Sequence, residues 1–396
     1  MKKFMKFLGV LLAVCMLAGL IPAGSIGALA AESQKSGTCG KNVSWALSDD
    51  GTLTISGTGD MYGEADGNTA YTFPDLSGVK NVIVSEGVTS VGSDAFYRSG
   101  GNATIQSVSI ASTVTRIEMN AFNRCSAISS VEIKGTGVDI GINAFWGCTS
   151  LAALPAGMGE IQDRAFLGCS SLKSLALEEG VTYIGESVFA GCVSATKVTL
   201  PASLNGLQFS AFDNCPKLAS ISVAEGNSFL TSSDNILTSK ITNGYSLVLV
   251  DRTKTGAVIV PENMTEIFEN AFSECAGVTK VYVPKTVTRI GDSTTEDGYL
   301  GHTVNGCLNL KDVYYEGTAA QWLLVTDEDA YFKNAAIHYN STPCDALGAH
   351  TWGDGVVTTA PTANADGVMT YTCSVCGNTK TESIPKLSTK RPCGDN

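Results

Sequence analysis

One phrase recurs along this chain and constrains its fold more than any other feature. It reads Ala-Phe-x-x-Cys, with Val188 in place of Ala once, and an apolar residue follows three places on. Five successive copies carry Phe122, Phe145, Phe166, Phe189 and Phe212 with Cys125, Cys148, Cys169, Cys192 and Cys215, so the Cys steps are 23, 21, 23 and 23. A Cys-less copy at Phe96 precedes them, and Phe272 with Cys275 follows an interruption. A period in the low twenties means one short supersecondary unit stacked on copies of itself, which is a solenoid.

Aligned, the unit becomes Val-Thr-x-Ile-Gly-x-x-Ala-Phe-x-x-Cys-x-x-Leu-x-x-Val-x-Leu-Pro, as from Val181 to Pro201. Alternation after each Cys predicts a short strand with one buried face, pointing Leu172, Leu175 and Leu177 inward in one copy and Leu218, Ile221 and Val223 in another. Pro201 and Pro284 end such strands because proline lacks a ladder donor. The i, i+3 spacing of Phe and Cys predicts a single helical turn, and Gly92 and Gly185 a bend into it. The fold class is therefore α/β: a solenoid with a parallel sheet on one face and short helical turns on the other. Neighbouring helical turns need roughly 8 to 10 Å, beyond the roughly 7 Å Cα reach of a disulfide. The cysteine column is then expected to be free buried thiols.

The chain opens with Lys2, Lys3 and Lys6, an apolar run from Phe7 to Ile21, and Ala28-Leu29-Ala30. That is the pattern of a secretory signal peptide over residues 1–30. No later run is long and apolar enough to span a bilayer. Secretion implies an extracellular or loosely surface-associated protein. The formal charge is −12, and losing the three leader lysines takes it to −15, which argues against nucleic acid or anionic lipid as partner.

The repeats resemble the bacterial BspA-type leucine-rich-repeat family. Cys39-Gly40-Lys41-Asn42 with Trp45 and the segment from Asp50 to Gly59 resemble its N-terminal β cap, placed at residues 31–78. Repeats occupy 79–226 and 262–340. The insertion at 227–261 resembles the family's hairpin-like excursion, with Asp234-Asn235-Ile236-Leu237 and Leu247-Val248-Leu249-Val250 as strands. Val313 to Thr318, Gln321-Trp322 and Ile337-His338-Tyr339 resemble its usual end. The resemblance implies a secreted or surface protein of a host-associated bacterium that binds a host or cell-surface protein or a glycan.

From residue 341 the pattern changes to a small Cys/His module and tail. Cys344, His350 and the knuckle Cys373-x2-Cys376-Gly377 resemble a module appended to secreted proteins of anaerobic bacteria, except that Ala363 stands where a Cys is usual. The knuckle has the loop shape that puts two thiolates on zinc, and Cys344 with His350 would complete a Cys₃His set. A disulfide, free thiols or a vestigial site are the alternatives. Each of these is structural, because the module is too small to bury a core without a staple.

No nucleophile elbow, zincin helix or phosphate loop surrounds His302, His338 or His350. The expectation is a binding protein rather than an enzyme, with no cofactor beyond a structural zinc. The competing readings are a passive structural or cell-envelope matrix protein and, third, a secreted hydrolase. The outward strand positions are mostly small and polar, such as Ser109, Thr199 and Ser222. They change character at the C-terminal end, where Tyr282 and Tyr314 stand beside Lys280 and Asp312. These four are the candidate ligand-binding residues, since exposed aromatics anchor interfaces.

Overall fold

The structure is a computed structural model that describes residues 35–63, 76–242, 244–268, 270–291, 307, 309–327, 332 and 334–387. The expected leader and His302 lie outside these residues. An antiparallel meander of Ser36–Thr38, Val43–Leu47 and Thr52–Gly57 opens the described chain. Its last strand then pairs parallel with Asn81–Val84, the first strand of the array.

Each rung contributes to three parallel ladders. The first is the expected sheet: Asn81–Val84, Ser107–Ile110 and Ser130–Ile133 stack in register, Val82 on Val108 on Val131. It lapses at residues 151–156, where Pro155 stands at the strand centre and has no N–H to donate. Pro155 is buried there. The sheet resumes with Ser174–Ala176, Lys197–Leu200 and Ser220–Val223. The inward Leu172, Leu175, Leu177, Leu218 and Ile221 are buried, whereas Val223 is half-buried.

The second ladder is formed by the Val-Thr-x-Ile segment, which sequence periodicity did not mark as a strand. Val88–Val91, Arg116–Ile117, Val138–Ile140, Met158–Ile161, Tyr183–Ile184 and Gly206–Leu207 form one parallel sheet. At Gly185 the rungs approach so closely that a Cβ would stand 2.4 Å from Asp163 Oδ1 and 2.7 Å from its backbone nitrogen. Close approach, rather than a bend, is what requires glycine there.

The third ladder replaces the expected helical turns. Backbone N–H groups of Phe96, Phe122, Phe145 and Phe189 donate to Ala121, Ala144, Ala165 and Ala211 of the next rung, each at 2.8 Å. The turns cannot wind into a helix because two residues per rung take left-handed backbone conformations. One precedes the Ala-Phe pair (Asn120, Asn143 and Arg164, φ 56 to 59°), and one precedes the Cys (Arg124, Gly147 and Gly168, φ 58 to 72°). A short 3₁₀ turn forms at Phe209–Phe212. With little helix, the solenoid is mainly β.

Rungs therefore stack at hydrogen-bonding distance on this side too. Phe96, Phe122, Phe145, Phe166, Phe189 and Phe212 form one continuous stack, with centroids 4.8 to 5.9 Å apart and planes within 14°. All six are at most 2% exposed. Beside them the cysteines are free and buried, but helical-turn spacing is not the reason. Each thiol donates to the Phe carbonyl of the preceding rung: Cys125 to Phe96, Cys148 to Phe122, Cys169 to Phe145, Cys192 to Phe166 and Cys215 to Phe189, at 3.2 to 3.6 Å.

The excursion begins as a hairpin of Leu230–Ser233 and Ile236–Ile241. Asp234 and Asn235, expected within a strand, are its two-residue turn, both at positive φ (51° and 57°) as a type I′ turn requires. Ile236–Ile241 then pairs antiparallel with Gly244–Val250, which runs parallel to Met264–Ile267 in a sheet separate from the second ladder. Gly256–Ile259, inside the expected insertion, is a regular rung strand. It begins a fresh sheet with Val278–Val283, Asp312–Tyr315 and Ala336–His338.

Candidate functional site

The outward row of this C-terminal sheet is set by its register. Ile259, Tyr282, Tyr314 and His338 lie side by side on successive strands, and Ala257, Lys280, Asp312 and Ala336 form the row two residues earlier. Three of the four predicted binding residues join into one cluster there. Tyr314 is half-buried and stacks on His338, with ring centroids 4.7 Å apart and planes 18° from parallel. Lys280 Nζ lies 5.8 Å from the Tyr314 ring centroid, within cation–π range. Asp312 Oδ1 and His338 Nε2 are 2.8 Å apart. The carboxylate thus orients the imidazole, and the imidazole holds the phenol ring in place.

Tyr282, expected on that surface, does not belong to it. It is 1% exposed, and burial, followed by the nearby carboxylates of Glu316 and Glu262, pushes its phenol pKa up. The cause is the helix Pro343–Leu347, which packs across Gly256–Ile259, Val278–Val283 and Asp312–Tyr315. Local sequence dictates this helix: Thr342 and Asp345 form a reciprocal capping box, Pro343 takes its first position, and Gly348 ends it at φ 73°. The same Thr-Pro-x-Asp signal could have been read beforehand. His338 was also legible, because Val281-Tyr282-Val283, Val313-Tyr314-Tyr315 and Ile337-His338-Tyr339 align as successive rungs.

The second site joins the predicted Cys344, His350, Cys373 and Cys376. Their ligand atoms all lie within 4.8 Å of one another. Cys344 Sγ is 3.5 Å from Cys373 Sγ, and Cys376 Sγ is 3.4 Å from His350 Nδ1. Three segments bring them together. The helix carries Cys344 in its first turn. The His350 and Trp352 rings lie 4.8 Å apart with planes tilted by 32°, and Trp352 bridges antiparallel to Cys373. The knuckle closes with Gly377 N–H donating to Cys373 O at 3.0 Å, with Gly377 at φ 73°. Behind it, Val356–Thr359, Gly367–Thr372 and Thr379–Ile384 form a small antiparallel sheet. Burial raises the Cys344 pKa. Burial also works against the Cys373 thiolate, but the Cys376 and Val375 backbone N–H groups, then His350 and Cys344, outweigh it and lower that pKa.

Among the described residues no helix is long and apolar enough to cross a membrane. Residues 69–157 and 152–243 match the BspA type Leucine rich repeat region, in six copies. The chain is similar to a leucine-rich repeat protein from Eubacterium ventriosum, at 22% identity and a TM-score of 0.48, covering 71% of this chain and 72% of that one. It is also similar to a leucine rich cell surface protein from Faecalibacterium prausnitzii (20% identity, TM-score 0.45, covering 75% and 99%). A third similar structure is the pneumococcal vaccine antigen PcpA (17% identity, TM-score 0.42, covering 76% and 84%). No curated protein matches. Through the Phe and Cys ladders of its array, residues 69–243 of this chain are a BspA-type leucine-rich-repeat region.

Proposed function

We propose that this is a secreted binding protein of a host-associated bacterium, and that it engages a host or cell-surface protein through the C-terminal end of its outward sheet face. One observation carries the reading. Tyr314, Lys280, Asp312 and His338 form a pre-oriented aromatic and charged cluster on a face whose other positions are mostly small and polar. A rigid aromatic flanked by charges loses little entropy on burial and supplies the anchor that a Ser/Thr surface lacks.

The test uses the full chain against a panel of host matrix and cell-surface proteins. Replacing both Tyr314 and Lys280 with Ala should weaken capture of any ligand found by at least about tenfold, equal to about 1.4 kcal/mol. Neither side chain is fully buried, so the unfolding temperature should hold. Wild-type binding by the double variant would place recognition off this face. A panel without any ligand would favour the matrix-protein reading.

A further inference from the structure

We infer that Cys344, His350, Cys373 and Cys376 bind one structural Zn²⁺, and that this ion fastens the C-terminal module and its sheet-covering helix into one folded piece. The inference is independent of what the sheet face binds.

Donor geometry is the first support. Tetrahedral zinc with Zn–S near 2.3 Å and Zn–N near 2.0 to 2.1 Å sets donor atoms roughly 3.5 to 3.8 Å apart. The sulfur–sulfur separation of 3.5 Å and the sulfur–nitrogen separation of 3.4 Å are close to such edges, and no pair exceeds 4.8 Å. A disulfide explains less. It needs sulfurs about 2.05 Å apart and involves two residues, leaving the convergence of His350 and a third thiol without a cause. Three sulfurs and one imidazole also favour zinc over the hard, oxygen-seeking cations.

The near absence of an apolar interior is the second, separate support. Among the described residues from 341 onward, the buried ones are Ser341, Pro343, Cys344, Ala346, Gly367 and Cys373, and two of these are ligands. The strand Val356–Thr359 is exposed along its whole length. A piece this small and this open does not hold together by burial and needs a covalent or metal staple. Here the staple joins three separate segments: the helix, the stretch from His350 to Trp352, and the knuckle. Backbone hydrogen bonds join two of these segments directly. Ser374 N–H donates to Thr351 O at 2.9 Å, and Gly353 N–H to Thr372 O at 3.0 Å. The His350 ring leans on Trp352, which Lys380 approaches at 5.4 Å.

Two measurements on the full chain test this. Protein purified without chelator should contain one zinc per chain. After demetallation under reducing conditions, titrated Co²⁺ should develop the visible absorption of a tetrahedral thiolate site, and the variant Cys376→Ala should lose both signals. Limited proteolysis should cut residues 348–387 after chelation, or in Cys376→Ala, but not in the zinc-loaded chain, while the repeat array stays intact in every case. The inference falls if the chain takes up neither metal. It falls equally if the secreted protein holds a Cys344–Cys373 disulfide, or if protease resistance is the same with and without zinc.

Discussion

At the scale of single residues, the repeated cysteine has a physical role that its spacing alone did not disclose. Its thiol supplies a weak donor to a carbonyl one rung back, in a slot beside a continuous stack of rings. The slot is dry, and burial pushes the thiols of Cys125, Cys169 and Cys215 up to about 12 from an ordinary 9.0. In the unfolded chain these groups lose their protons near pH 9, while the folded chain retains them. The folded state thus binds more protons between pH 9 and 12, and stability falls as pH rises through that window. Denaturant melts at pH 7, 9 and 10.5 should show a flat first interval and a decline in the second. Thiol reagents should leave the column unmodified in the native protein at pH 8 and label it after unfolding. The sequence made the Phe and Cys burial legible, since an apolar phrase at fixed period has to face a shared core. It could not reveal the carbonyl partner, which lies 24 to 29 residues away.

At the scale of elements, the i, i+3 spacing of Phe and Cys suggested a helix because it counts apolar positions and ignores the residues between them. The deciding residues are Asn120, Asn143, Gly147, Gly168 and their equivalents, whose left-handed conformations break the turn twice per rung. Asn and Gly tolerate that region best, so their recurrence before Ala-Phe and before Cys was the overlooked signal. Gly168 isolates the effect, because a Cβ added there meets nothing within 4 Å while the backbone sits at φ 71°. Gly168→Ala should therefore destabilise the chain by about 1 kcal/mol through backbone conformation alone, measured as a shift in denaturant midpoint with unchanged slope. The second sheet escaped for a different reason. Strands as short as Arg116–Ile117 and Tyr183–Ile184 hold too few residues for alternation to register, and only stacking makes them strands.

At the scale of the whole array, the order of parts was legible and their borders were less so. Within the expected excursion, residues 230–250 form antiparallel strands, whereas Gly256–Ile259 already belongs to a parallel rung sheet of its own. The helix at Pro343–Leu347 reaches back over the preceding strands, so the boundary at 341 does not separate the module from the sheet in space. Such reach is invisible to composition, and it removed Tyr282 from the exposed sheet face.

The ladders also determine how the molecule responds to a pull. Their hydrogen bonds run from rung to rung, and every strand lies across the direction in which rungs accumulate. Tension applied to the two ends of the array concentrates on the terminal rung, like a zipper, instead of being shared among all rungs as in a sheared sheet. A protein tethered between two surfaces in flow would then yield in small, successive releases. Each 23-residue rung releases about 78 Å of chain at about 3.4 Å per residue, a net lengthening of about 73 Å after subtracting the ~4.8 Å rung height. Single-molecule stretching of the full chain should show a sawtooth of roughly that increment at modest force, whereas one large cooperative rupture would mean that the rungs fail together. Such a tether lengthens under load while its remaining rungs stay folded.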